Sequence, residues 1–255
     1  VTDDPRAPQA APAPGTPAHT PAHTTAHTTA HGSGPAGPVV EVRGATRTHG
    51  TVQVLAPTSW SLAPGRAAAL VGPNGSGKTT LLRLVAGADL PTTGSVATFG
   101  APANVSRQRR REDLALLLDG LPTYPDLTVA EHLALVAAAW GPRHPGPGVD
   151  DWLERAGLTR VRDQLPAELS SGESQMFALA CTLYRPARLV VLDEPEQRLD
   201  ARWRELVRSL LVAALDAGRS LVVATHDPGL RSALTGPGPD GVPRGVEVAL
   251  AAPDR

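Results

Sequence analysis

The chain is 255 residues long with a formal net charge of −1 at pH 7, and 41% of its residues are hydrophobic. That is enough for a sizeable core, and an aliphatic one, since the aromatic residues are four Trp, two Tyr and two Phe. A near-neutral balance argues against nucleic acid as a partner, the lone Cys181 excludes an intrachain disulfide and fits a reducing compartment, and no stretch approaches the ~18–20 consecutive apolar residues that span a bilayer.

Residues 1–38 differ in kind from the rest and are expected to form a disordered tail. They hold eight of the 26 prolines and almost no large apolar side chain, too little to offset chain entropy. They begin VTDDPRAPQA, without the apolar stretch of a signal peptide. A four-residue repeat within them sets His19, His23, His27 and His31 at helical spacing. The interspersed Pro and Thr oppose that helix, so a tail is the better reading than a metal site. Residues 39–255 form the second domain.

Val39–Arg43 alternates like a strand, a second extended stretch runs from Val52 to Leu62, and the apolar run Ala67–Val71 reads as a buried strand. A glycine-rich loop then leads into a helix at Thr79–Ala86 closed by Gly87. Further strands are expected at Ser95–Phe99 and Ala115–Leu118. The basic run Arg107–Arg111, followed at once by Glu112 and Asp113, reads as a solvated face. Thr128 and Glu131 predict a capping box opening a helix to about Trp140. After a Pro/Gly-rich break at Gly141–Gly148 come a short helix at Asp151–Ala156 and another near Val161. Strand Leu189–Leu192, helix Arg202–Ala217, strand Ser220–Ala224, a short helix near Leu230 and strand Val246–Leu250 complete the chain. Strand–helix alternation around a helical insert at about 120–185 predicts an α/β fold. Its parts are a P-loop NTPase core with a mixed sheet, a small antiparallel β subdomain and a helical subdomain.

The strongest motif is Gly72-Pro73-Asn74-Gly75-Ser76-Gly77-Lys78-Thr79, a full match to G-x-x-x-x-G-K-[ST] with a strand before it and a helix after. Glycines let successive N–H groups turn toward phosphate, and the helix N-terminus adds its positive end. Lys78 can neutralise the β- and γ-phosphates, the Thr79 hydroxyl can ligate Mg2+, and Thr80 completes the ATP-binding set. The strand ending Leu192-Asp193-Glu194 adds two acids. Asp193 is placed to hold Mg2+ through water, and Glu194 to polarise a water for attack on the γ-phosphate.

With these motifs in place, the chain resembles the nucleotide-binding domains of ABC transporters over about residues 39–250. Leu169-Ser170-Ser171-Gly172-Glu173 resembles the signature LSGGQ, and Ser170 lies 24 residues ahead of Glu194. Glu196-Gln197-Arg198-Leu199-Asp200 resembles the D-loop, with Asp200 in its aspartate position. Ala224-Thr225-His226-Asp227 resembles the switch, and Tyr124-Pro125-Asp126-Leu127-Thr128-Val129 the stretch after the Q-loop. The resemblance implies two copies, or this chain and a partner, closing head to tail around two ATP molecules. Ser170 and Gly172 would then bind the γ-phosphate across the interface, and His226 would orient Glu194.

Four positions, in three motifs, depart from the family pattern. Asp119 stands where glutamine is usual, within reach of Mg2+ but adding negative charge; Ser171 and Glu173 replace Gly and Gln; and His49 takes the place of the aromatic residue that stacks on adenine. The function implied is an ATP-hydrolysing subunit powering a membrane transporter, with the small chain leaning toward an exporter. It would dock on a separate multi-spanning membrane subunit at the inner face of the cell membrane and work as a homodimer or heterodimer, without nucleic acid. The alternatives are a soluble ABC ATPase and a degenerate ATP-binding partner with weak turnover.

Overall fold

The computed structural model describes residues 37–109, 111–141 and 146–252, side chains at 108 and 109 excepted. The tail with its histidine repeat therefore lies outside the described residues, as do parts of the basic run and of the Pro/Gly-rich break.

Strand β1 (Val40–His49) pairs antiparallel with β2 (Val52–Leu62) through a tight turn at Gly50-Thr51. Its other edge pairs antiparallel with β4 (Thr93–Thr98), which carries the short β5 (Ala101–Pro102). The strand expected at Val39–Arg43 is thus twice as long. Register shifts between Val42 and Thr48 break the alternation that would have announced its second half.

The second sheet has the order β6-β7-β8-β3-β9. Its strands are β6 (Leu114–Leu117), β7 (Leu189–Asp193), β8 (Ser220–Ala224), β3 (Ala67–Val71) and β9 (Gly245–Ala249). Every described pairing in it is parallel, so the mixed core sheet expected from the sequence is corrected: antiparallel pairing is confined to the first sheet. The unbroken apolar runs of β3, β7 and β8 explain this, because strands covered on both faces cannot afford a polar side.

Successive residues of these strands feed two cores. Val190, Leu192, Leu221 and Val223 join one with the helical part of the chain. Leu189, Val191, Val222 and Ala224 join the other with the first sheet and α1 (Lys78–Val85). In the helical part, α3 (Val129–Trp140) opens on the expected capping box of Thr128 and Glu131. Helix α4 (Val149–Arg155) and α5 (Ser171–Tyr184) pack beside it. Nine consecutive α5 residues, Met176 to Tyr184, are buried, so this helix is covered on every side. Trp152 of α4 stacks on Tyr184 with centroids 5.6 Å apart and donates its indole N–H to Ala180 O at 3.1 Å. His132 of α3 receives Tyr124 N–H on Nε2 at 2.9 Å and sets Nδ1 2.8 Å from Thr128 O, which ties the Tyr124–Thr128 stretch to the helix.

Helix α2 (Ala103–Arg109) was not expected from the sequence. Helices α6 (Ala201–Asp216) and α7 (Pro228–Thr235) fall within a residue or two of expectation. The expected Gly87 stop on α1 forms as well: Gly87 and Ala88 return their N–H groups to Leu84 O and Arg83 O. The register pairs Asp193 with Ala224 and Leu70 with Ala224. The glycine-rich loop, the two acids and the Thr225-His226 segment therefore leave the sheet at one carboxyl edge, where ligands of open parallel sheets bind.

Candidate functional site

The loop after β3 curls because two of its positions have no room for a side chain. A Cβ on Gly72 would lie 2.5 Å from Leu250 O and 2.6 Å from Ser76 Oγ; on Gly77 it would lie 2.4 Å from Val54 O. Gly77 sits at φ 89 as the N-cap of α1 and offers no side chain to the helix's first N–H groups. Those donors, with the positive end of the helix, face a cavity of about 410 Å³. It is lined by Val54, Asn74, Gly75, Gly77, Lys78, Thr79, Thr80 and Glu194. The buried Lys78 holds its ammonium on Gly72 O at 3.0 Å and Pro73 O at 3.3 Å, so a cation is already poised on the loop.

Across the cavity, Thr79 Oγ1 donates to Asp193 Oδ2 at 2.6 Å. Burial pushes the Asp193 carboxyl above the ordinary range; the Thr79 bond pulls it back, while Glu194 and Asp119 nearby raise it and Lys78 lowers it. Glu194 takes a left-handed backbone conformation, φ 45. Its N–H donates to Ala224 O at 2.9 Å, which ties the turn to β8. His226 Nε2 lies 3.2 Å from Glu194 Oε1, and Gln197 Nε2 donates to Glu194 Oε2 at 2.8 Å.

The structure therefore brings Gly72, Pro73, Asn74, Gly75, Ser76, Gly77, Lys78, Thr79, Thr80, Asp193, Glu194 and His226 to one edge. Asp119, expected beside the metal, is engaged with Arg83 of α1 at 2.8 and 3.1 Å, so it is not one of a ready ligand set with Thr79 and Asp193. His49 ends β1 in an exposed position and is not among the residues that line the cavity; Val54 takes the wall on that side. Ser170 and Gly172 stand at the start of α5 and do not line it either. Reasoning from the sequence missed Gln197 and Glu196. Both fall in a stretch that reads as loop, and nothing in its pattern marks which side chains turn inward.

The ABC transporter family model matches residues 55–197, more than half of the chain. The spermidine/putrescine import ATP-binding protein PotA of Chromobacterium violaceum is 33% identical over 200 residues, 77% of this chain. The aliphatic sulfonates import ATP-binding protein SsuB 2 of Burkholderia cenocepacia is 32% identical over 228 residues, 87% of this chain and 82% of its own length. The chain belongs to the ABC transporter family.

The chain spans about half of the PotA relative, 55% of its length. Its fold matches a solved ATP-binding subunit of an ABC transporter with a TM-score of 0.67 at 22% identity, covering 83% of this chain and 88% of that one. A dimeric ATP-binding cassette in a post-hydrolysis state, bound to ADP and Pi, matches at the same TM-score and 23% identity, covering 83% and 96%. The chain thus carries the fold of an ABC transporter's ATP-binding subunit. No helix among the described residues is long and apolar enough to cross a membrane.

In the stretch that resembles the ABC signature, Ser170 caps α5 and Glu173 turns back on it. Glu173 Oε2 accepts from Ser170 N at 2.9 Å and from Ser170 Oγ at 2.6 Å, while Ser170 Oγ accepts from Glu173 N at 3.3 Å. These bonds hold the Glu173 carboxyl below the ordinary glutamate range. Asp200, at the end of the stretch that resembles the D-loop, caps α6 through Trp203 N at 2.9 Å.

Proposed function

We propose that this chain binds ATP with Mg2+ in the P-loop cavity and hydrolyses it to power a membrane transporter. The observation that carries the reading is the convergence of Lys78, the Thr79–Asp193 pair and the Glu194–His226 pair around one cavity at the carboxyl edge of the sheet.

The α1 N–H groups and Lys78 bind the phosphates; Lys78 exchanges the carbonyls of Gly72 and Pro73 for phosphate oxygens. Glu194 accepts a proton from the attacking water, the water oxygen bonds to the γ-phosphorus, and the bond to the β,γ-bridging oxygen breaks, giving ADP and phosphate. His226 and Gln197, one on each Glu194 oxygen, keep the carboxylate aimed. Thr79 Oγ1 and Asp193 Oδ2, 2.6 Å apart, are hard oxygen donors of the kind magnesium takes. Thr79 would hold the ion directly and Asp193 through water, and when bound it supplies charge neutralisation at the β- and γ-phosphates.

The partners in this reading are a second ATP-binding domain, as a homodimer or heterodimer, and a separate multi-spanning membrane subunit, which places the chain peripherally on the cytoplasmic face. The expected export direction finds no support in the PotA and SsuB 2 names, both of import proteins, and uptake is the direction they favour. A second reading, a degenerate ATP-binding partner, is favoured by one observation: the Ser170 hydroxyl, expected to reach a γ-phosphate, is taken by Glu173.

Phosphate release from Mg-ATP by the purified parent and Glu194→Gln proteins separates the two. Turnover by the parent, reduced about 10²–10⁴-fold in Glu194→Gln with ATP affinity held within about threefold, supports the catalytic reading. A parent that binds ATP and releases no phosphate supports the degenerate one. Recovery of a multi-spanning protein in stoichiometric amount with tagged Glu194→Gln from host membranes tests the transporter assignment.

A further inference from the structure

Glu196 lies two residues beyond Glu194 and is buried, 6% exposed, in a chain stretch where acids normally face water. Its Oε1 collects three donors from one segment: the Thr225 hydroxyl in a short bond, His226 N–H at 3.1 Å and Asp227 N–H at 3.3 Å. Thr225 Oγ1 in turn accepts Asp227 N–H at 3.0 Å, and Asp227 caps α7 by accepting Leu230 N–H at 2.6 Å. Every element of the turn after β8 is therefore referred to one oxygen that belongs to the turn after β7. Glu196 Oε2 makes no hydrogen bond among the described residues.

We propose that Glu196 is a positioning residue for hydrolysis: it moors the Thr225–Asp227 segment to the β7 turn and thereby sets His226 against Glu194. Among the described residues the two turns have no other side-chain tie of this strength. His226 reaches Glu194 through a single contact at 3.2 Å with its ring half exposed, and a contact so open does not fix a loop. Gln197, next in the chain, holds the other Glu194 oxygen at 2.8 Å, so residues 196 and 197 between them fix both partners of the Glu194 carboxylate. A hydrogen bond from a backbone N–H to a buried carboxylate is stronger than one to a neutral oxygen, and here two run in parallel. The proposal rests on the reading of Glu194 and His226 as the hydrolytic pair.

The test is Glu196→Ala beside Glu196→Gln, with kcat, ATP affinity and hydrogen exchange at the His226 and Asp227 amides measured for each. Glu196→Ala removes the acceptor that three donors share, of which Asp227 N–H alone keeps another, Thr225 Oγ1. It is expected to lower kcat at least about tenfold, leave ATP affinity within about threefold, and speed exchange at both amides about tenfold or more. Glu196→Gln keeps an oxygen where Oε1 stands and is expected to restore most of kcat. Parent-like turnover in Glu196→Ala, equal losses of kcat and affinity, no rescue by Gln, or unchanged exchange would each overturn the proposal. Should Glu196→Ala not fold, Thr225→Val removes one donor at nearly constant volume and should lower kcat severalfold with affinity kept; parent-like kcat there overturns the proposal equally. Failure of the underlying reading shows differently: Glu194→Gln would then turn over like the parent, while accelerated exchange in Glu196→Ala would still report the mooring.

Discussion

Replacing Lys78 by alanine removes a cation that the fold has already placed. Lys78 is 6% exposed and its ammonium is held on two loop carbonyls, at 3.0 and 3.3 Å, so little ordering remains to be done when phosphate arrives. A charge-assisted hydrogen bond lost from such a site is worth about 1.5–3 kcal/mol, which corresponds to about 12- to 160-fold weaker ATP binding. The two carbonyls left behind belong to the half-buried Gly72 and the exposed Pro73 and can be hydrated, so no large stability loss accompanies the change. Thermal or urea unfolding with and without Mg-ATP separates the effects. At an ATP concentration of 100 times the parent Kd, ligand binding stabilises the parent by about 2.7 kcal/mol. A 30-fold weaker Lys78→Ala protein gains only about 0.9 kcal/mol at the same concentration. Without ATP the two proteins should unfold within about 0.5 kcal/mol of each other. An unchanged ATP-induced shift would refute the assignment of the cavity to phosphate.

Two further outcomes follow from local geometry. Gly77→Ala forces a Cβ to 2.4 Å from Val54 O at a backbone φ of 89, and overpacking added to left-handed strain should cost about 2–4 kcal/mol; an unchanged urea midpoint would remove the close approach as the reason for this glycine. Glu173 has its carboxyl lowered in the folded chain by its bonds to Ser170, so its contribution is present at neutral pH and is lost as pH falls from the ordinary glutamate range through the lowered value. The stability difference between parent and Glu173→Ala should therefore shrink on acidification, and a difference that grows toward acid pH would contradict the capping box.

Where a sequence signal is local, the structure follows it closely. Thr128 and Glu131 stand three apart before an apolar run, and α3 begins there because both bonds of the box close within one turn. The P-loop, β3, β7 and β8 were legible for the same reason: each is a contiguous run whose burial or turn chemistry needs no distant partner. Legibility failed where the third dimension decides. The second half of β1 is hidden by register shifts against β2, since a bulge moves side chains to the other face without any change in composition. Asp119 sits at a position expected to reach metal, yet an arginine 36 residues earlier, on α1, claims both of its oxygens. Glu196 reads as one more surface acid in a charged loop; only the meeting of the β7 and β8 turns shows that it is interior.

Two helix starts in this chain apply the same physics in opposite ways. Helix α1 begins on Gly77, which has no side chain to offer, so its first N–H groups and positive end are available to an anion from outside. Helix α5 begins on Ser170 with Glu173 folded back over it, so the N-terminus already carries a carboxylate and the serine hydroxyl already has an acceptor at 2.6 Å. A phosphate approaching α5 has to displace that carboxylate and then share the site with its charge, whereas one approaching α1 meets Lys78, the nearby Asp193 being bonded to the Thr79 hydroxyl and not to the helix's N–H groups. Glutamine in place of Glu173 could accept the same backbone N–H through its amide oxygen without the charge. The acid at this one position therefore separates a helix start built to be self-sufficient from one built to wait for a ligand.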